Sequence, residues 1–202
     1  MAEADTHGPM DLTAIGRGRM QQAGETLKQA AGQLDASFER AAHALAECRG
    51  HVITSGVGTT GMIAKRFAHL LSCIGCPTLF LHSGDALHGS SAAVRSEDVL
   101  FLISRTGETE ESCKLAEIAA RRKPLMIALT ARPDSRLGRL STIVLRLETS
   151  PEIDPYGGTM AVGSSLAMAA YCDALVWAVL ELKGTPKQEF LLHHPGGIVS
   201  RL

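Results

Sequence analysis

Hydrophobic positions along this chain follow two different periods. From about Gln21 to Cys48 the apolar residues Leu27, Leu34, Phe38 and Leu45 recur at intervals of four or seven, the spacing of an amphipathic helix. Beyond it, short apolar runs at 51–55, 78–82, 99–103, 125–130 and 142–147 predict five strands. Helical segments are expected between them at about 60–74, 108–122 and 134–140, with a longer one at about 158–183. Runs such as Leu125-Met126-Ile127-Ala128-Leu129 show little polar alternation, as expected of parallel strands covered on both faces. Strands alternating with helices predict an α/β fold with a doubly wound, five-stranded parallel sheet. Right-handed crossovers make the flavodoxin-like order 2-1-3-4-5 the leading topology, and that order opens a crevice between the C-terminal ends of strands 1 and 3.

Both of those strand ends run into loops rich in Gly, Ser and Thr. The first is Ser55-Gly56-Val57-Gly58-Thr59-Thr60-Gly61 and the second is Ser104-Arg105-Thr106-Gly107-Glu108-Thr109. Glycine lets a backbone turn sharply and approach a ligand, and the helix that follows presents unpaired N–H groups to an anion. Hydroxyls of Ser104, Thr106 and Thr109 add neutral donors of the kind that hold phosphate oxygens. Either loop alone also fits an ordinary strand-to-helix turn. Gly56-x-Gly58-x-x-Gly61 matches a dinucleotide fingerprint, but His82 and Ser83 stand where the acidic residue of that fingerprint belongs. A Walker-type lysine is missing as well. The pair of loops therefore points to a small phosphorylated ligand rather than a nucleotide.

Other chemistry-bearing residues carry weaker signals. Cys73-Ile74-Gly75-Cys76 closes a helix instead of opening one, with Gly75 placed as a C-cap, so structural cysteines are expected rather than a redox pair. His82, Asp85 and His88 share a loop in which substrate contact ranks ahead of a metal site. Glu108, Glu110 and Glu111 begin a helix, where the macrodipole favours acidic residues without any functional reason. Pro151-Glu152-Ile153-Asp154-Pro155 is a proline-bounded loop after the fifth strand, on the crevice edge, where a carboxylate could serve as a general base. His193-His194-Pro195-Gly196-Gly197 forms a rigid turn near the chain end.

Composition narrows the function class. Twenty basic and 21 acidic residues nearly cancel, and aromatics make up 4%, which argues against nucleic acid and anionic membrane as partners. The stretch Ala161 to Leu180 has transmembrane length but contains Ser164, Ser165 and Asp173, so a packed internal helix is expected. Five dispersed cysteines and a polar N-terminus without an apolar leader fit a reduced, cytoplasmic protein. Residues 1–18 are expected to be mobile, with a single domain over 19–202 that begins with the helix.

Taken together, these segments resemble a sugar isomerase (SIS) domain, in particular that of the arabinose-5-phosphate isomerase family. The resemblance runs from about Cys48 to Leu202. It rests on the first loop, Asp85-Ala86-Leu87-His88-Gly89, Ile103 through Glu111, Thr130-Ala131-Arg132-Pro133-Asp134-Ser135, the Asp173-Ala174-Leu175 helix and His194-Pro195-Gly196-Gly197. It implies reversible aldose–ketose isomerisation of a phosphosugar through a cis-enediol, without a cofactor or catalytic metal. The implied catalytic residues are Glu152, Glu111, His194 and His88, with Glu152 the first choice of base and Glu111 the second. The implied substrate-binding residues are Ser55, Gly58, Thr59, Thr60, Ser104, Arg105, Thr106, Gly107 and Thr109. A homodimer or homotetramer is implied, with His194 acting across a subunit boundary to help open the sugar ring.

Two departures from the family pattern stand out. Members commonly continue into a pair of CBS modules, so a short form without them is expected. The isomerases usually carry Gly-x-Gly-Lys-Ser-Gly in the first loop, whereas this chain has Thr59 at the lysine position. Arg105 stands where the family usually has a neutral amide, and its charge could replace the lost lysine or simply face solvent. Two function classes remain open: a phosphosugar isomerase, favoured by Glu111, Glu152 and His194, and a non-catalytic phosphosugar-binding sensor, favoured by Thr59.

Overall fold

The computed structural model describes residues 10–196; residues 1–9 of the expected mobile segment, and Gly197 with the residues after it, lie outside the described residues. The chain begins with α1 (Leu12–Ala31) and α2 (Ala36–Ala46), followed by β1 (Val52–Ser55) and α3 (Gly58–Cys73). Next come β2 (Thr78–Phe80), the short α4 (Ser83–Ala86), β3 (Val99–Ile103), α5 (Glu110–Ala120), β4 (Leu125–Thr130), α6 (Arg136–Leu140) and β5 (Ile143–Arg146). A one-turn segment α7 (Pro155–Gly158), the long α8 (Gly163–Lys183) and α9 (Lys187–Leu192) complete it.

The five strands form one parallel sheet in the order β2-β1-β3-β4-β5. Alternate residues of the central strands feed the two sides. Phe101, Ile103, Ile127 and Leu129 join Phe67, Leu71, Leu45 and Leu175 on one face. Leu100, Leu102, Met126 and Ala128 join Leu115, Ala116 and Leu137 on the other. Every residue of β3 is buried, which is why its apolar run lacks polar alternation. The apolar α8 passes the length and hydropathy test for a membrane span. In the fold it packs against α1, α2 and α3.

Three expectations need correction. The single helix over 21–48 is two helices, because Gly32 ends α1 and the Asp35 carboxylate accepts the Ser37 N–H at 2.7 Å to start α2. The heptad spacing of Leu27 and Leu34 runs on across this break and hides it. The helix also begins earlier than expected: Asp11 accepts the Ala14 N–H at 2.9 Å, and residues 12–18 of the supposedly mobile segment are helical. Finally, α8 starts at Gly163 rather than near 158, since Tyr156, Gly157 and Gly158 all take positive φ (54°, 64° and 88°) and cannot continue a right-handed helix.

Candidate functional site

At the C-terminal end of β3 the chain turns through Ser104–Thr109 into α5. Ser104 and Thr109 hydroxyls lie 2.8 Å apart, Gly107 N–H donates to Ser104 Oγ at 3.1 Å, and Glu108 N–H donates to Thr106 Oγ1 at 3.2 Å. The loop thus pairs the Ser104 and Thr109 hydroxyls, with Thr106 on the same turn, at the start of an 11-residue helix whose first N–H groups are free of intrahelical partners. Gly107 makes the turn possible. Its φ is +66°, and a Cβ there would lie 1.9 Å from Ser135 Oγ, so both backbone and space demand glycine.

The first loop is organised differently. Ser55 is fully buried; its hydroxyl donates to the Leu81 carbonyl and lies 2.8 Å from Ser83 Oγ, which in turn is 3.2 Å from Ser112 Oγ. This hydroxyl chain ties β1 to the segments after β2 and to α5. Thr60 Oγ1 donates to the Val57 carbonyl at 2.9 Å and closes its own turn. Gly56 abuts the backbone of Thr60, where a Cβ would come within 2.8 Å. Gly58 (φ +57°) and Thr59 are exposed at the rim.

A cleft of about 300 Å³ opens beside the second loop, lined by Arg105, Thr106, Arg132, Glu148, Pro151 and Gly157 among others. Arg105 does not point freely into it or to solvent. Its Nη1 lies 2.8 Å from Asp154 Oδ2 and 3.5 Å from Ser164 Oγ, with the Arg105 side chain one-third exposed (33%) and that of Asp154 almost wholly buried (1%). Asp154 Oδ1 also accepts the N–H groups of Val162 at 2.7 Å and Ser164 at 3.0 Å. Burial acts to raise the Asp154 carboxyl, but hydrogen bonds from Ser164 and Val162 and the Arg105 charge hold it below the usual aspartate value. Arg132 lies exposed on the same cleft, and its guanidinium has no partner among the described residues.

Glu152 sits on the other side of the 151–158 segment. It lines a mostly apolar hollow of about 240 Å³ together with Arg19 and Ala23 of α1, Asp154, and Val162 and Leu166 at the start of α8. Its carboxylate is exposed and unpaired among the described residues, while Ile153 is buried against Gly163, where any Cβ would clash at 1.9 Å. Glu111 is half-buried on the first turn of α5, two residues beyond Thr109. Neighbouring Glu110 is held by Arg136 at 2.7 Å and Lys114 at 3.3 Å.

This sheet order, carrying a hydroxyl-rich loop at the β3 end, is matched by a family model. The SIS domain model covers residues 44–178. The chain belongs to the SIS domain family. Curated relatives of this SIS domain include arabinose 5-phosphate isomerase KdsD of Yersinia pestis, 31% identical over 203 residues and the whole chain. Arabinose 5-phosphate isomerase KpsF of Escherichia coli is 30% identical over 98% of the chain. The chain spans 61–62% of these relatives' own length. Among solved structures, Escherichia coli CFT073 c3406 in complex with arabinose 5-phosphate superposes with a TM-score of 0.88 at 27% identity, over 94% of this chain and 100% of that one. The fold alone is shared with the Vibrio vulnificus NanR protein complexed with ManNAc-6P, with a TM-score of 0.78 at 23% identity, over 93% of this chain and 70% of that one.

The SIS domain thus groups Ser104, Thr106, Gly107 and Thr109, with Glu111 adjoining, and sets Glu152 across a wall of chain. His88 is exposed after α4, with its backbone N–H bonded to Asp85. His194 lies elsewhere. The Thr185 hydroxyl donates to the Ile74 carbonyl at 3.0 Å, which fastens the connection to α9 beside the loop entering the N-terminal end of β2. His194 stacks on Phe190 with ring centroids 4.1 Å apart, and its Nδ1 lies 2.7 Å from the Phe190 carbonyl oxygen. The tie at Thr185 thus sets the start of α9 by the N-terminal end of β2, whereas the Ser104–Thr109 loop follows the C-terminal end of β3. Cys73 and Cys76 follow the expected structural pattern: Gly75 takes φ +73° at the helix end, and burial pushes both thiols above their ordinary value. Two residues escaped sequence reasoning. Asp154 was visible only as part of a proline-bounded loop, since its partner Arg105 is 49 positions away. Arg132 was visible only within the Thr130–Ser135 segment, which gives no sign that it lines the cleft.

Proposed function

We propose that this SIS domain is a phosphosugar aldose–ketose isomerase, with arabinose 5-phosphate the first substrate to try. The observation that carries this reading is the Ser104–Thr109 hydroxyl pair, with Thr106 on the same turn, at the N-terminus of α5, a neutral cradle for a phosphate dianion. Similarity to the arabinose 5-phosphate isomerases supports the sugar and the reaction class. From aldose to ketose, a carboxylate takes the C2 proton, the C–H electron pair forms the C1–C2 double bond as the C1=O1 π pair moves onto O1, and the proton on O2 passes to O1. The O2 pair then forms C2=O2 as the C1–C2 π pair takes the same proton back at C1. No electron leaves the sugar, so no redox partner is needed.

Glu152 is the proposed base, with Glu111 the alternative adjoining the cradle. Both carboxylates lack protein partners among the described residues and are free to take a proton. Because the connection to α9 is fastened at the other end of the sheet from the cradle, the ring-opening role of His194 is assigned to a second copy. Homo-oligomerisation is accordingly part of the proposal, and Trp177 (66% exposed) and Leu166 (46% exposed) on α8 offer apolar surface for it. A phosphosugar-binding sensor is the second reading, supported by Thr59 at a position where a lysine would neutralise developing charge.

NMR observation of C2-hydrogen exchange in deuterated water tests both. Wild type is expected to exchange the C2 hydrogen of arabinose 5-phosphate, and Glu152→Gln to bind the sugar phosphate yet exchange about 10²- to 10⁴-fold more slowly. Unchanged exchange in Glu152→Gln with loss in Glu111→Gln moves the base to Glu111. Binding of sugar phosphates without exchange of any of them favours the sensor.

A further inference from the structure

Among the described residues, one charged pair crosses the wall between the two cavities. Arg105 belongs to the loop that cradles the phosphate and lines the 300 Å³ cleft. Asp154 lies two residues beyond Glu152 and lines the 240 Å³ hollow on the other side. Their 2.8 Å ion pair crosses the wall, and Asp154 is anchored further to Val162 and Ser164 at the entry of α8. Among the described residues, the side-chain bonds of Arg105 all use Nη1. Arg105 lines the cleft and is one-third exposed, and a planar guanidinium can hold a carboxylate and a phosphate oxygen at once.

We propose that Arg105 and Asp154 act as a positioning pair that transmits phosphate binding to the segment carrying Glu152. This rests on the phosphosugar reading above and specifies how the cradle and the base communicate. When an anion enters the cradle, it fixes Arg105, Arg105 fixes Asp154, and Asp154 holds the backbone on which Glu152 is mounted. The segment needs such a fastening, because Tyr156, Gly157 and Gly158 are successive left-handed residues and Tyr156 is 82% exposed. Ile153 packing on Gly163 fixes one side of the segment, and the ion pair is the contact that joins it to the phosphate loop.

Amide hydrogen exchange with inorganic phosphate as the probe tests the link without any turnover. Wild type is expected to gain protection at 104–111 and also at 151–158. In Asp154→Asn, whose amide oxygen can still accept from Val162 and Ser164, protection at 104–111 should remain while that at 151–158 disappears. Protection confined to 104–111 in wild type, or equal protection at 151–158 in Asp154→Asn, overturns the pair and leaves the phosphosugar reading standing. Protection at neither segment in wild type overturns both. Kinetics supply a second measure with arabinose 5-phosphate. Asp154→Asn should lower kcat about 10- to 100-fold with a smaller change in KM, the size expected for a misaligned reacting group. In a Glu152→Gln background the same change should cost nothing further, and Arg105→Lys should recover part of what Arg105→Gln loses. Multiplicative losses in the double variant Asp154→Asn/Glu152→Gln mean that Asp154 does not act through Glu152.

Discussion

The loops after β1 and β3 have similar compositions and face the same crevice, yet their polar groups are arranged for different ends. After β1, the Ser55 and Thr60 hydroxyls are taken up by the Leu81 and Val57 carbonyls, and Gly56 is there so that two stretches of backbone can touch. After β3, the Ser104 and Thr109 hydroxyls bond to each other, and Ser104 and Thr106 accept the local N–H groups of Gly107 and Glu108 at the mouth of a helix. The first loop holds the sheet to its surroundings; the second is the one proposed to offer donors to a ligand. A run of Gly, Ser and Thr therefore marks a site only once the partners of its hydroxyls are known.

The strongest way to break this comparison is through the glycines. Gly107→Ala should destabilise the fold by about 2–5 kcal/mol, combining the left-handed backbone with a clash against Ser135, and should remove phosphosugar binding. Gly58→Ala shares the positive φ but meets open space, so only the backbone cost of about 1–2 kcal/mol is expected. Denaturant unfolding of both variants provides the measurement. Equal losses would show that Gly107 is no more constrained than a rim residue.

The hydroxyls come next. Wild type with a sugar phosphate at about one hundred times its dissociation constant should gain roughly 2.7 kcal/mol of stability, and Ser104→Ala/Thr106→Ala should lose that gain. Ser55→Ala should do the reverse. It should cost about 1–2 kcal/mol of unliganded stability by stripping a buried hydrogen bond, with the ligand-induced gain retained. Melting curves with arabinose and arabinose 5-phosphate separate the two cases, and a gain from arabinose alone would remove the phosphate cradle from consideration.

The smallest effect sharpens the role of the rim. Thr59 is exposed, so Thr59→Lys should leave stability unchanged within about 0.5 kcal/mol. If the first loop borders the bound phosphate, the added charge should strengthen binding by a few-fold in calorimetry, and more at low salt than at high salt. Unaltered affinity at both salt concentrations would confine the first loop to its structural role.

Sequence periodicity captured the sheet because every β3 residue and nearly every β4 residue is buried, leaving an apolar run with no competing explanation. It failed where two signals overlapped. Leu34 kept the heptad spacing in register while Gly32 and Asp35 ended one helix and began another. The cradle was legible for a comparable reason: Ser104, Thr106 and Thr109 lie within six residues, and local spacing places them on one turn. Asp154 was not, since what gives it a role is a guanidinium from a different strand end. Arg105 was recognised as unusual, but a charge in a sequence has no direction, and the choice between cleft and solvent omitted the buried carboxylate that holds it.

Gly107 also limits how this site can change over generations. A substitution there meets a disfavoured backbone and the Ser135 side chain together, so no single replacement offers a passable intermediate. The turn beneath the cradle is closed to gradual drift. Its exposed neighbours Thr106 and Glu108 meet no such backbone limit, so change in this loop is confined to side chains on a turn whose path stays fixed.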